Sequence, residues 1–244
     1  MGLTIHYSLH TKTPTRSQAR RLVDQLRKAA LDLPFAEVDE LVVFQHEQTN
    51  FETLSVDDPH RWLLVQTMHM LEHGEAYHMI LPNYVIAFRT WPGDGCEPAN
   101  FGLCRYPATT EIDGQPVSTH CDGWRWSSFC KTQYASDPEC GGVENFLRCH
   151  ITVIRLLDEA KRMNILADVG DEGEFWEKRD VHALAETLGR WNRHIAGVVG
   201  RFKDASDGQI VAPITDFANF EHLEADGRRD ELDDTSSDDD HGQP

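Results

Sequence analysis

An apolar stripe between residues 143 and 157 constrains the fold of this chain more than any other feature. After Gly142, apolar side chains recur every three or four positions: Val143, Phe146, Leu147, Ile151, Ile154 and Leu157. That spacing places them on one broad face of an α-helix, and such a face must be buried against another element. The sequence therefore predicts a helix over about 142–163, followed by a short strand at 165–169.

The same spacing argument predicts two more long helices. One covers about 14–33 and begins at Thr13-Pro14-Thr15, and the other covers about 180–203 with Asp180 as its N-cap. Segments rich in β-forming residues are strand candidates, namely 3–9, 40–45, 62–72, 77–89, 101–106 and 124–134. We therefore expect an α+β fold with a mixed, largely antiparallel sheet and three main helices.

The charge pattern divides the chain at about residue 220. Residues 221–244 hold 10 acidic and 2 basic residues, a net charge of −8, and apolar periodicity ends at Phe220. Such a segment buries too little apolar surface to offset the entropy of ordering. The prediction is a single α+β domain over 1–220 and an acidic, disordered tail over 221–244.

Composition also narrows the classes of function. The whole chain carries a formal charge of −18, and even 1–220 carries −10, which disfavours bulk nucleic-acid binding. No apolar stretch is long enough to cross a bilayer, and the N-terminus lacks a signal-peptide core. The six cysteines form no Cys-x-x-Cys pair. We expect a cytoplasmic protein with reduced thiols whose partner is a protein or a small molecule.

Three stretches resemble segments of uncharacterised bacterial proteins. They are PGDGCEPANFGLCRYP at 92–107, FCKTQYAS at 129–136 and DEGEFWEKRD at 171–180. No activity is known for the proteins that carry these stretches. The resemblance therefore implies a free-standing bacterial protein, and it assigns no role to any residue.

The most specific short motif is His69-Met70-Leu71-Glu72-His73, which matches the H-x-x-E-H signature of some zinc hydrolases. On a helix, His69 and His73 share a face and can bind one zinc ion, while Glu72 polarises a metal-bound water. The flanking residues alternate as in a strand, however, and in a strand His69 and Glu72 point to opposite sides. Zinc is therefore a cofactor candidate only if this segment is helical.

A second candidate site is the acidic loop at 171–177. Asp171, Glu172 and Glu177 are candidate acid and base groups for hydrolysis of a small polar or sugar-like substrate. Trp176 and Arg179 are candidate ligand contacts through stacking and charge. A solvated loop that joins a strand to a helix has the same composition, so this alternative stays open.

The third candidate set surrounds the start of the helix at 142–163. Lys131, Tyr134 and His150 are candidate ligand-binding residues, and Glu144 is a further candidate catalytic carboxylate. Cys149 and His150 are adjacent in the sequence, and neighbours on a helix point about 100° apart, so they form no nucleophile–base pair.

No catalytic constellation in the sequence stands out from these alternatives. The favoured hypothesis is a binding or interaction protein without catalysis. A hydrolase that uses the acidic loop is the alternative, and a zinc hydrolase through His69 and His73 is the third hypothesis.

Overall fold

The computed structural model describes residues 3–13, 15–205, 212–217 and 219–237. The helices are α1 (Arg16–Leu31), α2 (Arg61–Val65), α3 (Gly142–Arg162), α4 (Phe175–Lys178), α5 (Val181–Ala205) and α6 (Phe220–Ser237). The strands are β1 (Thr4–Thr11), β2 (Glu37–Val38), β3 (Val42–Gln45), β4 (His69–His73), β5 (Ala76–Ile80), β6 (Tyr84–Trp91), β7 (Ala99–Arg105), β8 (Thr109–Ile112), β9 (Gln115–Ser118), β10 (Trp124–Lys131) and β11 (Leu166–Asp171). The α+β prediction is confirmed.

The three predicted long helices are present as α1, α3 and α5. Thr15 caps α1, because its hydroxyl oxygen accepts the backbone N–H of Gln18 at 3.3 Å. Along α3, Phe146, Ile154 and Leu157 of the apolar stripe are completely buried and Leu147 and Ile151 are partly buried, whereas Val143 at its start is exposed. Apolar periodicity thus located these helices because their buried faces are continuous.

The main sheet has the strand order β11-β1-β10-β7-β6-β2, and β3 also pairs with β6. Every strand pair in the described part of the chain is antiparallel. Next to the β11 edge, β1 lies between β10 and β11, which flank α3 in the sequence. This β-α-β unit brings residues near 5, 130 and 170 side by side, although they are far apart in the chain.

The two faces of β1 have different environments. Ile5, Tyr7 and Leu9 belong to the main hydrophobic core, which also includes the buried residues of α1 and α3. His6, Ser8 and His10 alternate with them, point to the opposite face and are exposed or partly exposed. The sheet is therefore covered by helices on one side at β1 and is open on the other.

Two predictions of local structure were wrong. Residues 61–65 form helix α2 rather than the start of a strand, and the strand begins only at His69. In the segment predicted as a disordered tail, residues 221–237 belong to α6, which lies along α5, whereas 238–244 lie outside the described residues. Apolar periodicity did not predict α6 because this helix buries little surface and contacts α5 closely through a glycine, Gly227.

In the part of the chain that the structure describes, no helix has the length and apolar character needed to cross a membrane.

Candidate functional site

The H-x-x-E-H segment lies in a β-hairpin and not on a helix. His69–His73 form β4, which pairs with β5 so that His73 lies opposite Ala76. In a strand, His69 and His73 share a face but lie about 13 Å apart at 3.3 Å per residue, and Glu72 points to the other face. Two ligands of one zinc ion each lie about 2 Å from it, so this pair cannot share an ion. Among the described residues no cluster of three or more metal-binding side chains occurs.

Side-chain contacts with neighbouring residues hold the acidic loop in place. Glu172 accepts the backbone N–H of Thr4 at 2.8 Å, and Glu174 pairs with Lys178 at 2.6 Å. These contacts tie the loop to β1 and stabilise the first turn after it. Two of its carboxylates are therefore already engaged by protein donors.

Only part of the predicted catalytic set lines one surface. Asp171, Glu172 and Glu174 border an open depression of about 660 Å³ beside α5. Glu177 and Glu144 are exposed in the first turns of α4 and α3, and neither is among the residues that border this depression. The structure thus separates the carboxylates that the sequence grouped as candidate acids and bases.

Trp176 is enclosed by cations and is no open stacking platform. The Arg179 guanidinium lies 4.5 Å from the centre of its ring, and the Lys161 ammonium lies 5.3 Å from it. Arg179 also makes a bidentate contact with Asp158 at 2.8 and 2.9 Å. Both predicted ligand contacts are engaged within the protein.

The residues predicted around the start of α3 do not form one site. Lys131 lies over the Tyr134 ring at 4.6 Å, and its ammonium is 3.4 Å from the Tyr134 hydroxyl. Glu144 is exposed, whereas His150 is completely buried inside the protein. The location of His150 follows from its position on the apolar stripe, where it replaces an apolar residue.

His150 is the centre of a buried row of three polar side chains. Its Nδ1 lies 2.8 Å from the Thr132 hydroxyl, and its Nε2 lies 3.0 Å from Asp171 Oδ1. The carboxylate approaches the ring obliquely, so this contact is electrostatic rather than a linear hydrogen bond. The carboxylate favours the tautomer with the proton on Nε2, which leaves Nδ1 to accept the Thr132 proton.

The Asp171 carboxylate has three contacts at the end of β11. Besides His150, it accepts the backbone N–H groups of Gly173 and Trp176, each at 2.8 Å. Burial alone raises the pKa of Asp171, but the His150 contact and these N–H donors outweigh burial and hold it below its usual value. Asp171 is therefore an ionised group that organises the chain at 171–176.

The Thr132–His150–Asp171 row has the residue types of a nucleophile, a base and an orienting acid. Thr132 and His150 are 0% exposed and Asp171 is 8% exposed, so no substrate reaches the row. Gly173 closes it from above, since a Cβ there would lie 3.1 Å from the His150 ring and 2.6 Å from Leu184. The row joins the end of β10, α3 and β11 inside the core.

A polar groove lies on the opposite, open face of the sheet. In the register of β1 with β10, three pairs of residues share this face: His6 with Phe129, Ser8 with Ser127 and His10 with Arg125. Two adjoining lobes of about 470 and 270 Å³ run along these pairs, and both are bordered by Ser8, Ser127 and Gln66. We call this feature the sheet-face groove.

The smaller lobe is rich in hydrogen-bond donors. It is bordered by Arg125, His10, His69 and Gln66, with Tyr106 at its wall. Gln66 Oε1 accepts from Asn100 Nδ2 at 2.9 Å and from Ser128 at 3.0 Å, which directs its Nε2 away from both. Within the described residues, the Arg125 guanidinium and Gln66 Nε2 have no hydrogen-bond partner.

The electrostatics of this lobe centre on Arg125. Burial lowers the pKa of His69, and the positive charge of Arg125 lowers it further against a hydrogen bond to Thr119. His69 is therefore neutral near pH 7, whereas Arg125 remains charged. His10 contacts the exposed Asp122 at 3.4 Å, so Arg125 is the cation of this lobe without a carboxylate partner among the described residues.

The larger lobe carries two rings. Phe129 is 41% exposed, and its ring lies 5.9 Å from that of His6. Asp168 borders the same lobe from β11, opposite Ser8. This half of the groove therefore offers a flat apolar surface with a carboxylate at its rim.

The sequence contained a signal for this groove that motif searches do not use. In β1 and β10 polar residues alternate with buried ones, as in Ile5-His6-Tyr7-Ser8 and in Arg125-Trp126-Ser127. Such alternation indicates a sheet with one solvated face. The pairing of the two strands, more than 100 residues apart, appears only in the folded chain.

Neither a protein-family model, nor a curated protein, nor a solved structure matches this chain.

Proposed function

We propose that this chain is a binding protein whose ligand occupies the sheet-face groove. The ligand class is a small anion, a phosphate ester or carboxylate, that carries a flat ring. The observation that carries the proposal is the Arg125 guanidinium, which has no carboxylate partner among the described residues and borders a lobe with the free Gln66 amide. Buried or half-buried donors of this kind are normally satisfied, and a ligand oxygen satisfies both.

The positions of the Phe129 and His6 rings support the proposal that the anionic ligand carries a flat ring. Phe129 and His6 lie on the same open face as Arg125, each four residues along its strand from the Arg125–His10 pair. An exposed aromatic ring on a sheet face is a stacking surface for a flat ligand. A long polyanion is disfavoured, because the chain carries a formal charge of −18.

A hydrolase that uses the acidic loop has less support than binding in the groove. Asp171 is ionised, buried and held by three contacts, so it is poorly placed to give or take a proton. Glu172 and Glu174 have the contacts with Thr4 and Lys178 described above. Trp176, the predicted stacking residue, does not border the open depression beside them, and its ring is covered by Arg179.

The groove proposal predicts binding of phenyl phosphate. Titrated into ¹⁵N-labelled protein at roughly pH 8, where the phosphate is a dianion, it is expected to shift amide signals of β1, β10 and 66–69. Arg125→Gln is expected to weaken binding by about tenfold or more, since a hydrogen bond to a charged group contributes about 1.5–3 kcal/mol. Arg21→Gln, on the exposed side of α1, removes the same charge and should leave affinity unchanged.

A second variant separates the two halves of the groove. Phe129→Ala should weaken phenyl phosphate by roughly 2–10-fold, the range of an aromatic contact of about 0.5–1.5 kcal/mol, and should leave inorganic phosphate unaffected. Signals confined to other surfaces, or equal loss of affinity in Arg21→Gln and Arg125→Gln, would contradict the proposal.

A further inference from the structure

An unpaired carboxylate lies on the open face of the sheet, at the rim of the sheet-face groove. Asp168 is the partner of Ser8 in the register of β1 with β11, and it borders the larger lobe together with Phe129. The residue is exposed, and its carboxylate has no hydrogen bond or ion pair among the described residues. The groove therefore has a negative charge at its rim as well as the positive charge of Arg125.

A β-bulge turns Asp168 toward the groove. In a regular strand, residues two positions apart point to the same face, so Leu166 and Asp168 would share one. In β11, however, Ala167 is an extra residue at which the register with β1 shifts. Leu166, before the shift, lies opposite Leu9 and packs against the main hydrophobic core. Asp168, after it, lies opposite Ser8 on the open face. The bulge thus allows one strand to bury its leucine and to present its carboxylate, and bulges redirect side chains in this way beside active sites.

The next residue of β11 on the open face is a glycine. Gly170 lies opposite His6, and a Cβ added there would come no closer than 4.0 Å to the Cβ of His6. Packing therefore does not require glycine at this position. Its effect is to leave the strand beside Asp168 without side-chain cover on the side of the groove.

The strand register fixes the spacing of the two opposite charges. Arg125 lies opposite His10 on one side of β1, and Asp168 lies opposite Ser8 on the other side. The two charged residues are therefore two strand spacings apart across the sheet and two residues apart along it. With about 4.8 Å between strands and about 3.4 Å per residue, their Cα atoms are roughly 12 Å apart. A ligand with one aromatic ring between two charged groups spans a distance of this order.

The sign of the charge at Asp168 selects what this end of the groove accepts. A second phosphate or carboxylate group of a ligand would be repelled by the carboxylate. An ammonium group or a protonated ring nitrogen would instead donate a charge-assisted hydrogen bond to it. Because Phe129 borders the same lobe, such a nitrogen would lie close to the flat ring of the ligand.

We propose that the ligand of the sheet-face groove is a zwitterion that carries a cationic nitrogen beside its flat ring. Its phosphate or carboxylate contacts Arg125, its ring lies against Phe129, and its nitrogen donates to Asp168. This inference rests on the proposed function, because it requires the anion to bind at Arg125. It assigns Asp168 the role of selecting among aromatic anions.

The test compares two ligands that differ only in this nitrogen. Tyramine phosphate has an ammonium group at the end of its ethyl substituent, and para-ethylphenyl phosphate has none. In titrations of the ¹⁵N-labelled full chain at roughly pH 8, both phosphates are dianions and the amine is protonated. Tyramine phosphate should bind about two- to fivefold more tightly, the range of an exposed ion pair, and should also shift amide signals of 166–170. Added salt should reduce the difference, because it screens the two charges.

Asp168→Asn keeps the size of the side chain and removes its charge. This variant should lose the preference for tyramine phosphate and should bind para-ethylphenyl phosphate no more weakly than the wild type does. Asp32→Asn removes the same charge at an exposed position at the end of α1, on the covered side of the sheet. It should keep the wild-type preference, which separates the contact at Asp168 from the overall negative charge of the chain.

Equal affinity of the wild type for the two phosphates, or a preference that survives in Asp168→Asn, would overturn this inference while the groove proposal stands. If neither phosphate shifts the signals of β1, β10 and 66–69, the groove proposal and this inference are both wrong. Amide spectra of the ligand-free variants show whether each keeps the native fold, which we expect because both substituted side chains are exposed.

Discussion

Asp171→Asn is expected to lower the free energy of unfolding by about 1.5–3 kcal/mol, the contribution of a hydrogen bond to a charged group. The substitution keeps the size of the side chain but removes the charge beside His150 and replaces one acceptor oxygen with a donor. That donor then faces backbone N–H groups of Gly173 or Trp176, which the carboxylate now satisfies at 2.8 Å. Chemical denaturation followed by tryptophan fluorescence measures the change.

A carboxylate three residues away is the matched control. Glu174 forms an ion pair with Lys178, and both side chains are about half exposed. Glu174→Gln should therefore cost less than about 1 kcal/mol. Equal losses of unfolding free energy in Asp171→Asn and Glu174→Gln would show that the buried Thr132–His150–Asp171 row contributes no more to stability than an exposed ion pair.

The same group predicts a pH dependence with a definite sign. The pKa of Asp171 is lower in the folded protein than in the unfolded chain, where it is about 3.9. Its contribution is therefore present above that value and is lost as the pH falls through the lower, folded pKa. Between pH 6 and strongly acidic solution, the wild type should lose more stability than Asp171→Asn, and parallel curves would contradict the assignment.

Gly227→Ala is expected to destabilise the protein by about 1–3 kcal/mol, the range for overpacking of a close contact. Gly227 on α6 lies against the backbone of α5, and a Cβ there would overlap the Arg193 carbonyl and lie 3.1 Å from the Gly197 nitrogen. The sign of this stability change is informative, because a Gly→Ala substitution in a solvated helix stabilises the protein by about 1 kcal/mol. Denaturation curves give the sign, and limited proteolysis shows whether α6 becomes accessible.

Gly189→Ala is the control for this prediction. Gly189 lies within α5, and its added Cβ would meet only the end of the flexible Arg193 side chain, at 3.4 Å. We expect this variant to be as stable as the wild type or to gain up to about 1 kcal/mol. Stabilisation by both substitutions would show that α6 does not pack on α5 in solution.

The sequence was sufficient for elements whose buried face is continuous. The helices α1, α3 and α5 repeat apolar residues over several turns, so local spacing alone locates them. It failed for α6, where glycine at the helix crossing replaces the apolar stripe. Close backbone contact through Gly227 contributes packing that leaves no hydrophobic pattern in the sequence.

The candidate sites show the same limit. The spacing of His69 and His73 is compatible with zinc only on a helix, and pairing with β5 makes the segment a strand instead. The acidic loop was identified as polar, but its first carboxylate, Asp171, is buried and contacts His150 of α3. In both cases the partner that decides the role of the residue lies outside the local window.

By itself, the sequence determined the α+β class, the positions of three long helices and a strong negative charge. These properties depend on residues that are close together in the chain or on simple sums. Only the tertiary structure decided that Arg125 and Gln66 border one groove and that His150 contacts Asp171. Such sites are made by strand register and loop packing, which bring together residues whose separation in the chain carries no local periodic signal.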